Sequence, residues 1–473
     1  MTFNIREYIQ QYTDWIIERN LTFYDACAPS TLEMLSYNNR LVASALPTTS
    51  TTVSTWILDS FQRRQTVIKD SFSNAKSVLN FSMDCWRAPN RYNYLALCIH
   101  FLDYNYNRQH RLLGFRRIIG PKDGEAEGAA IVSILHQYAI TGMQLGASVS
   151  DNAGDNNTAM QYIERAFQLQ RGWAKQSRLR CLGHIVNLVV KALLFGSTES
   201  KINRQLEHAG PDDEFEIWRN LGPIGKLHNF VVYVNASDER KEAFRELQKR
   251  SDEELEADTA LNLIQDGGIR WNSTFYMIKR GCQLERAILL YQHDYVAPSD
   301  GRGRDLTSSF LSEADFNALK HWQRLLGKFE RLVKVEETKS DATIHGTIAG
   351  VLLGLTHMHE VVDRATIAEC EQECNSLQSP EYKDGLKWAT DKLLKYFEAC
   401  AESSLYYAAI VLTPSLRLHW FQNHWGKYEG HWVKDATKRF QELYNSYVKR
   451  HQPVEPESQT DYEIADSESD SDS

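Results

Sequence analysis

Between Leu79 and Ile118 the apolar pattern changes to period two in short runs separated by turns, and this change sets the fold class of the chain. Leu79, Phe81 and Met83 alternate with Asn80, Ser82 and Asp84, and after an APN turn come YLALCIHFLD and then RLLGFRRI. Alternation of this kind marks strands with one buried face, and the short turns between the runs predict an antiparallel meander. Elsewhere the period is that of helices. Residues 1 to about 75 hold apolar-periodic stretches around Trp15 to Phe23, Leu32 to Leu46 and Ile57 to Ile68, separated by loops such as PTTSTT. After the meander come a helix-like stretch from Glu125 to Ile140, a short strand LGASVSD ending at Asp151, and an amphipathic helix with Met160, Ile163 and Phe167 in register. Cys181 to Phe195 is apolar all round and predicts a buried strand-to-helix passage.

Three antiparallel strands, a helix, a fourth strand and a helix are the order of an RNase H-like α/β core, in which the first and fourth strands lie side by side. The organisation expected is therefore a helical N-terminal region (1–75), an RNase H-like core (76–196), a large all-α region (197–450) and a disordered acidic tail (451–473) rich in Pro, Ser and acids. A length of 473 residues is enough for about three folding units. No apolar run reaches the ~18 residues of a spanning helix, and the N-terminus lacks the apolar segment of a secretory signal, so no membrane partner is expected.

The formal charge of −9 is concentrated at one end: after Pro453 stand eight acids and no Lys or Arg, leaving 54 acids against 53 bases before it. A nearly neutral body neither requires nor excludes a basic groove, because phosphate binding depends on local clusters. The eight scattered cysteines fit free thiols in a reducing compartment. Cys370 with Cys374, and Cys181 with His184, each lack the second pair that a four-coordinate zinc needs, so no zinc site is expected.

Asp84 and Asp151 are the carboxylates of interest. Neighbouring strands lie ~4.8 Å apart, so these acids could share a Mg²⁺ or Mn²⁺ that activates water at a phosphodiester. The plain alternative is that Asp84 ends a strand and Asp151 with Asn152 makes an Asx-type turn or helix cap. Trp271, beside Arg270, could stack on an unpaired base, worth ~1 to 3 kcal/mol, while the guanidinium holds a phosphate. Equally, it could anchor a helix in its own core, with Asn272 to Thr274 capping that helix. The run Arg171, Lys175, Arg178 and Arg180 is either a phosphate footprint or a solvated helix end.

The blocks SMDCWRAPNRYNYLALCIHFLDYNYNRQHRLLGFRRI, SDNAGDNN, RLRCLGHIVNLVVKALLFG and IRWNSTFYMIKRGCQLERAI, in that order, resemble the hAT superfamily of DNA transposases in its fungal branch. The resemblance covers about residues 10 to 450 and weakens after 300. It implies a nuclear protein whose RNase H-like catalytic domain is interrupted by a long α-helical insertion domain. It further implies that Asp84 and Asp151 are metal-binding catalytic acids, that His184 sits near them, where it reads as structural or orienting or else as directly catalytic, and that Trp271 lies near the transposon end. The family's third acid, a Glu in a late S-x-x-x-E-R-x-F-S block, has no counterpart at the expected place; the similar letters ERAF, Glu164 to Phe167, fall on the helix just after Asp151. Thr413 stands where an Asp is expected, Arg87 replaces a Thr, and no zinc-finger pattern precedes the body.

The expectation is a truncated or decayed transposase-like protein, lacking the C-terminal Glu-containing dimerisation block, with Mg²⁺ or Mn²⁺ held by two Asp only. Nucleic-acid binding would be weak and salt-dependent, and catalysis absent. Alternatives are a residual metal-dependent nuclease using Glu330 or Glu398, and an interaction scaffold that pairs with intact relatives, as homo- or hetero-oligomer, through an uncovered sheet face.

Overall fold

A computed structural model describes residues 4–37, 40–120, 123–196, 201–202, 205, 210–251, 260–267, 270–297, 305–337, 347–370, 380–426 and 430–451. All of the expected acidic tail but His451, which ends the last helix, and Cys374 lie outside these residues. The chain divides between Leu188 and Val189 into two compact units.

The first unit begins with α1 (Ile5–Glu18), α2 (Phe23–Ala26), α3 (Pro29–Ser36), α4 (Arg40–Ala43) and α5 (Ser50–Ser73). Asn4 caps α1 by accepting the Glu7 N–H, and Thr49 caps α5 through Thr52 N–H, so both helix starts have partners for their otherwise unbonded donors. Tyr12, Ile16, Ala26, Val42, Leu46 and Val53 form the small core that joins these helices. The Tyr12 hydroxyl, buried with them, donates to the Ala26 carbonyl at 2.6 Å.

The α/β part follows as β1 (Leu79–Arg87), β2 (Asn93–Leu102), β3 (Arg108–Ile118), α6 (Gly124–Gln137), β4 (Leu145–Ser150), α7 (Asp155–Ala166), α8 (Trp173–Ser177), β5 (Arg178–Arg180) and α9 (Leu182–Phe195). The sheet runs β3-β2-β1-β4-β5, with β1–β2 and β2–β3 antiparallel and β1–β4 and β4–β5 parallel. The meander and the adjacency of the first and fourth strands are as the sequence predicts, and this mixed sheet is compatible with an RNase H-like core. Its buried face sets Phe81, Leu95, Leu97 and Ile99 against Ile131, Ile134 and Leu135 of α6 and Met160 and Ile163 of α7. Sheet and helix approach closely at Gly114, where a Cβ would lie 2.5 Å from Ile134 Cδ1 of α6.

Two details depart from the sequence reading. Asp84 lies inside β1 rather than at its end, because Cys85, Trp86 and Arg87 continue pairing with Leu95, Tyr94 and Asn93. And β5, which the sequence reading leaves out, is a three-residue strand whose pairing places Arg178 opposite Ser148 and Arg180 opposite Ser150. Where the β1–β4 register shifts between Leu79 and Phe81, the Asn80 side chain accepts the Ala147 N–H at 2.8 Å and replaces the missing ladder bond.

Among the described residues no strand follows β5. The second unit continues with α10 (Pro211–Arg219), α11 (Gly222–Asn235), α12 (Asp238–Ser251), α13 (Trp271–Gln283), α14 (Glu285–His293), α15 (Glu313–Glu337), α16 (Ile348–Cys370), α17 (Pro380–Ala401), α18 (Ser404–Leu412), α19 (Arg417–His424) and α20 (Gly430–His451). Its buried residues include Phe230 and Val231 of α11, Phe275 and Ile278 of α13, Phe316 and Phe329 of α15, and Leu355 of α16. No described helix is long and apolar enough to cross a membrane.

Candidate acidic pair and nucleic-acid interface

The β1–β4 register pairs Ser82 with Val149. Two residues further along these parallel strands stand Asp84, exposed, and Asp151, half-buried in the first position after β4. The topology therefore brings the two predicted acids to neighbouring chain positions just past the paired part of the central β1–β4 ladder. Asp151 already has partners: its Oδ1 accepts the Ala153 N–H at 2.9 Å and the Asn156 Nδ2–H at 2.5 Å. The first bond is an Asx turn, so the capping alternative is realised in the same side chain that could hold a cation. Carboxylate oxygens are the donors that Mg²⁺ takes, and Asp84 with Oδ2 of Asp151 would be the ones to offer them here. Among the described residues no group of three or more His, Cys, Asp or Glu gathers at any one point.

Arg178 is 6% exposed and points into the fold. Its Nη2 donates to the carbonyls of Asp151 at 2.9 Å and Ala153 at 3.1 Å, and Nη1 donates to Asn157 Oδ1. This corrects the surface role expected for it: the side chain is buried and its guanidinium is taken up by Asp151, Ala153 and Asn157, so it staples the loop after β4 instead of facing phosphate. Arg180 is half-buried and donates to Asn152 Oδ1 at 3.2 Å, whereas Arg171 and Lys175 are exposed. Glu164, of the ERAF letters, accepts the N–H groups of Gly172 at 3.3 Å and Ala174 at 2.7 Å; it holds the start of α8. The Cys181 N–H donates to the Ser150 carbonyl at 2.9 Å, which starts α9 beside the end of β4 with half-buried His184 in its first turn.

The sheet face that carries Asp84 also carries side chains the sequence reading passed over. By register Trp86 faces Tyr94, Ala96 faces Phe115 and Tyr94 faces Arg117, all on the side away from the core. Phe115 is 58% exposed, and its ring stacks on Tyr94 at 5.4 Å and 14° and meets Trp86 at 5.7 Å. The Arg117 guanidinium sits 3.6 Å from the Tyr92 ring centroid, a cation–π pair with the charge still at the surface. Exposed Leu112, Arg108 and His110 continue the face along β3. A signal was present: the outward positions of all three strands hold aromatics or bases, but alternation directs attention to the inward set.

In the second unit Trp271 is 3% exposed, its ring 6.2 Å from Phe275 at the start of α13. Asp266 accepts the Ser273 and Thr274 hydroxyls, each at 2.6 Å, and so fixes the first turn of that helix. Burial corrects the accessible stacking ring and leaves the helix-anchoring alternative, while Arg270 remains exposed. Glu330 is nearly buried and accepts the Tyr276 hydroxyl at 2.9 Å and Lys334 Nζ at 2.5 Å; Glu398 is exposed on α17.

Two family models match adjoining stretches: a ZBED1 RNase-like domain over residues 82–179 and a ZBED1 RNase-like helical domain over 179–308. Over 405 residues, 84% of this chain, the sequence is 22% identical to a Talaromyces stipitatus protein named as a transcriptional regulator, tpeD. It is 24% identical over 50% of its length to a Zea mays protein named as an AC transposase, and 24% identical over 52% to the human zinc finger BED domain-containing protein 4. The chain spans less than half of each of these relatives: 42%, 26% and 18% of their lengths.

Proposed function

We propose that this chain, which is of the hAT-type transposase-like family, is a nuclear DNA-binding protein that neither nicks nor joins DNA in its 473-residue form. The observation that carries the reading is the sheet face on which Asp84 is accompanied by Trp86, Tyr94, Phe115 and Arg117. Aromatic rings beside cations are the elements of a sequence-tolerant nucleic-acid surface: bases stack, phosphates pair, and the binding weakens with salt. Mg²⁺ or Mn²⁺, if taken up, would be held by Asp84 and Asp151, and would supply charge neutralisation at a phosphate. Two carboxylates, one of them engaged by Ala153 and Asn156, make a poorer clamp than a full acidic set. The similarity to a protein named as a transcriptional regulator, which aligns with most of this chain, supports a regulatory reading.

Fluorescence anisotropy with labelled DNA across a salt series tests the reading. Phe115→Ala combined with Arg117→Gln should weaken binding and flatten its salt dependence; tight, unaltered binding by that variant overturns the assignment of the face. Exposed Leu112 and Phe115 favour one other reading, in which a second protein chain covers the sheet. A stable oligomer that dissociates in Leu112→Glu would support it.

A further inference from the structure

In the second unit α15 and α16 pack side by side and leave a groove of about 450 Å³ between them, lined by Lys328, Arg331 and Leu332 of α15 and His357, Glu360, Val361 and Arg364 of α16. On α15 the cations Arg324, Lys328 and Arg331 stand at positions i, i+4 and i+7, which places them on one face. On α16 His357, Glu360 and Arg364 follow the same helical spacing and present the opposite wall. Seven residues of helix rise by about 10 Å, so each wall is a row and not a point.

The charges in this groove do not balance from within. Glu360, the one acid among the described lining residues, faces His424 Nδ1 at 3.5 Å. Among the described residues Lys328, Arg331 and Arg364 have no ion pair or side-chain hydrogen bond. His357 feels them: burial lowers its pKa, Glu360 opposes that, and Arg364, Lys328 and Arg331 lower it further. Elsewhere in the unit Lys226 is paired with Asp315 at 2.9 Å and Lys320 with Glu285 at 2.6 Å. A concave cluster of like charge left without counter-charge is an anion site in search of its anion. Its floor, Leu332 and Val361, is apolar and suits the faces of sugars.

We propose that the α15–α16 groove binds the sugar-phosphate backbone of a nucleic acid, with Lys328, Arg331 and Arg364 on successive phosphates. A cationic row on α15 facing Arg364 of α16 over an apolar floor suits a repeating polyanion better than a single phosphate group. The groove lies in a different unit from the sheet face of Asp84, so this is a second binding surface; it rests on the reading of the chain as a nucleic-acid-binding protein.

The full chain carrying Lys328→Gln, Arg331→Gln and Arg364→Gln is titrated with a labelled double-stranded oligonucleotide over a salt series. All three side chains point to the groove and solvent, and an unchanged melting temperature confirms the fold. The expected result is affinity reduced by about tenfold or more at low salt, with a log–log salt slope shallower by about 2 to 3, near one for each phosphate no longer neutralised. Wild-type affinity and slope in the triple variant overturn the proposal. If Phe115→Ala with Arg117→Gln abolishes binding while the groove variant is silent, the groove assignment fails and the functional reading stands. A wild-type chain that binds no DNA overturns both. An effect that emerges only after deletion of residues 452–473 assigns the groove to the chain's own acidic segment, and overturns the proposal for the intact protein.

Discussion

The guanidinium of Arg178 on β5 reaches the main-chain carbonyl of Asp151 at 2.9 Å, so the position of the second candidate acid depends on a side chain 27 residues away. The same group holds the Ala153 carbonyl and Asn157, almost out of reach of water. Removing it strands buried acceptors. Arg178→Met is expected to lower stability by about 2 to 4 kcal/mol, while exposed Arg171→Ala stays within about 0.5 kcal/mol of wild type. Urea midpoints compare the two; equal midpoints would show that the staple contributes nothing.

How far the sequence carries is clear at particular residues. The meander is legible because its strands run for nine to eleven residues, long enough for alternation to exceed chance. A strand of three residues such as Arg178–Arg180 has no period, and its single buried apolar residue, Leu179, cannot announce it. That is why Arg178 reads as a surface base. Trp271 could not be decided from its neighbours, since burial depends on helices far along the chain and the cap comes from Asp266 on the preceding segment. The acidic pair was legible as letters and strand order. What the letters do not contain is that Asn156, at the start of the next helix, occupies one of the Asp151 oxygens.

A pH prediction follows from α11, where His228 is 3% exposed and its ring lies flat on Trp218, centroids 3.9 Å apart and planes 11° apart. Burial pushes its pKa down to about 4, against a smaller opposing pull from Asp266, and its Nδ1 has no hydrogen-bond partner among the described residues. The unfolded chain therefore binds the proton more readily than the folded one between about pH 6.5 and 4. Stability from this residue is complete above that window and declines as pH falls through it, by up to roughly 3 kcal/mol. His228→Phe keeps the stack and abolishes the titration, so its stability should fall less steeply with acid. Parallel curves for the two proteins would remove His228 as the cause.

The aromatic face makes a prediction about strand preference. Phe115, more than half exposed, and Trp86 can take unpaired bases, which duplex DNA does not offer. Phe115→Ala should weaken single-stranded DNA binding by about 1 to 3 kcal/mol and affect duplex binding less. Anisotropy with the same sequence in both forms reads the difference. Equal losses on the two forms would point to a packing defect in the sheet instead.

The acidic pair gives the last prediction, and it separates turn-making from metal-holding. Asp151 makes an Asx turn with Ala153 and accepts from Asn156, so Asp151→Ala should cost about 1 to 2 kcal/mol of stability even without metal. Exposed Asp84 has no such duty, and Asp84→Ala should lie within about 0.5 kcal/mol of wild type in the presence of a chelator. If the two carboxylates share a cation, Mg²⁺ in the millimolar range raises the melting temperature of wild type and leaves both variants unmoved, because a ligand that binds only the folded state stabilises it in step with its occupancy. In the same buffer, supercoiled plasmid and labelled duplex should remain intact and unjoined, since binding a cation with two oxygens does not by itself position water against a phosphodiester. Cleavage by wild type that vanishes in both Asp→Ala variants would reverse this conclusion and restore a working catalytic site to the chain.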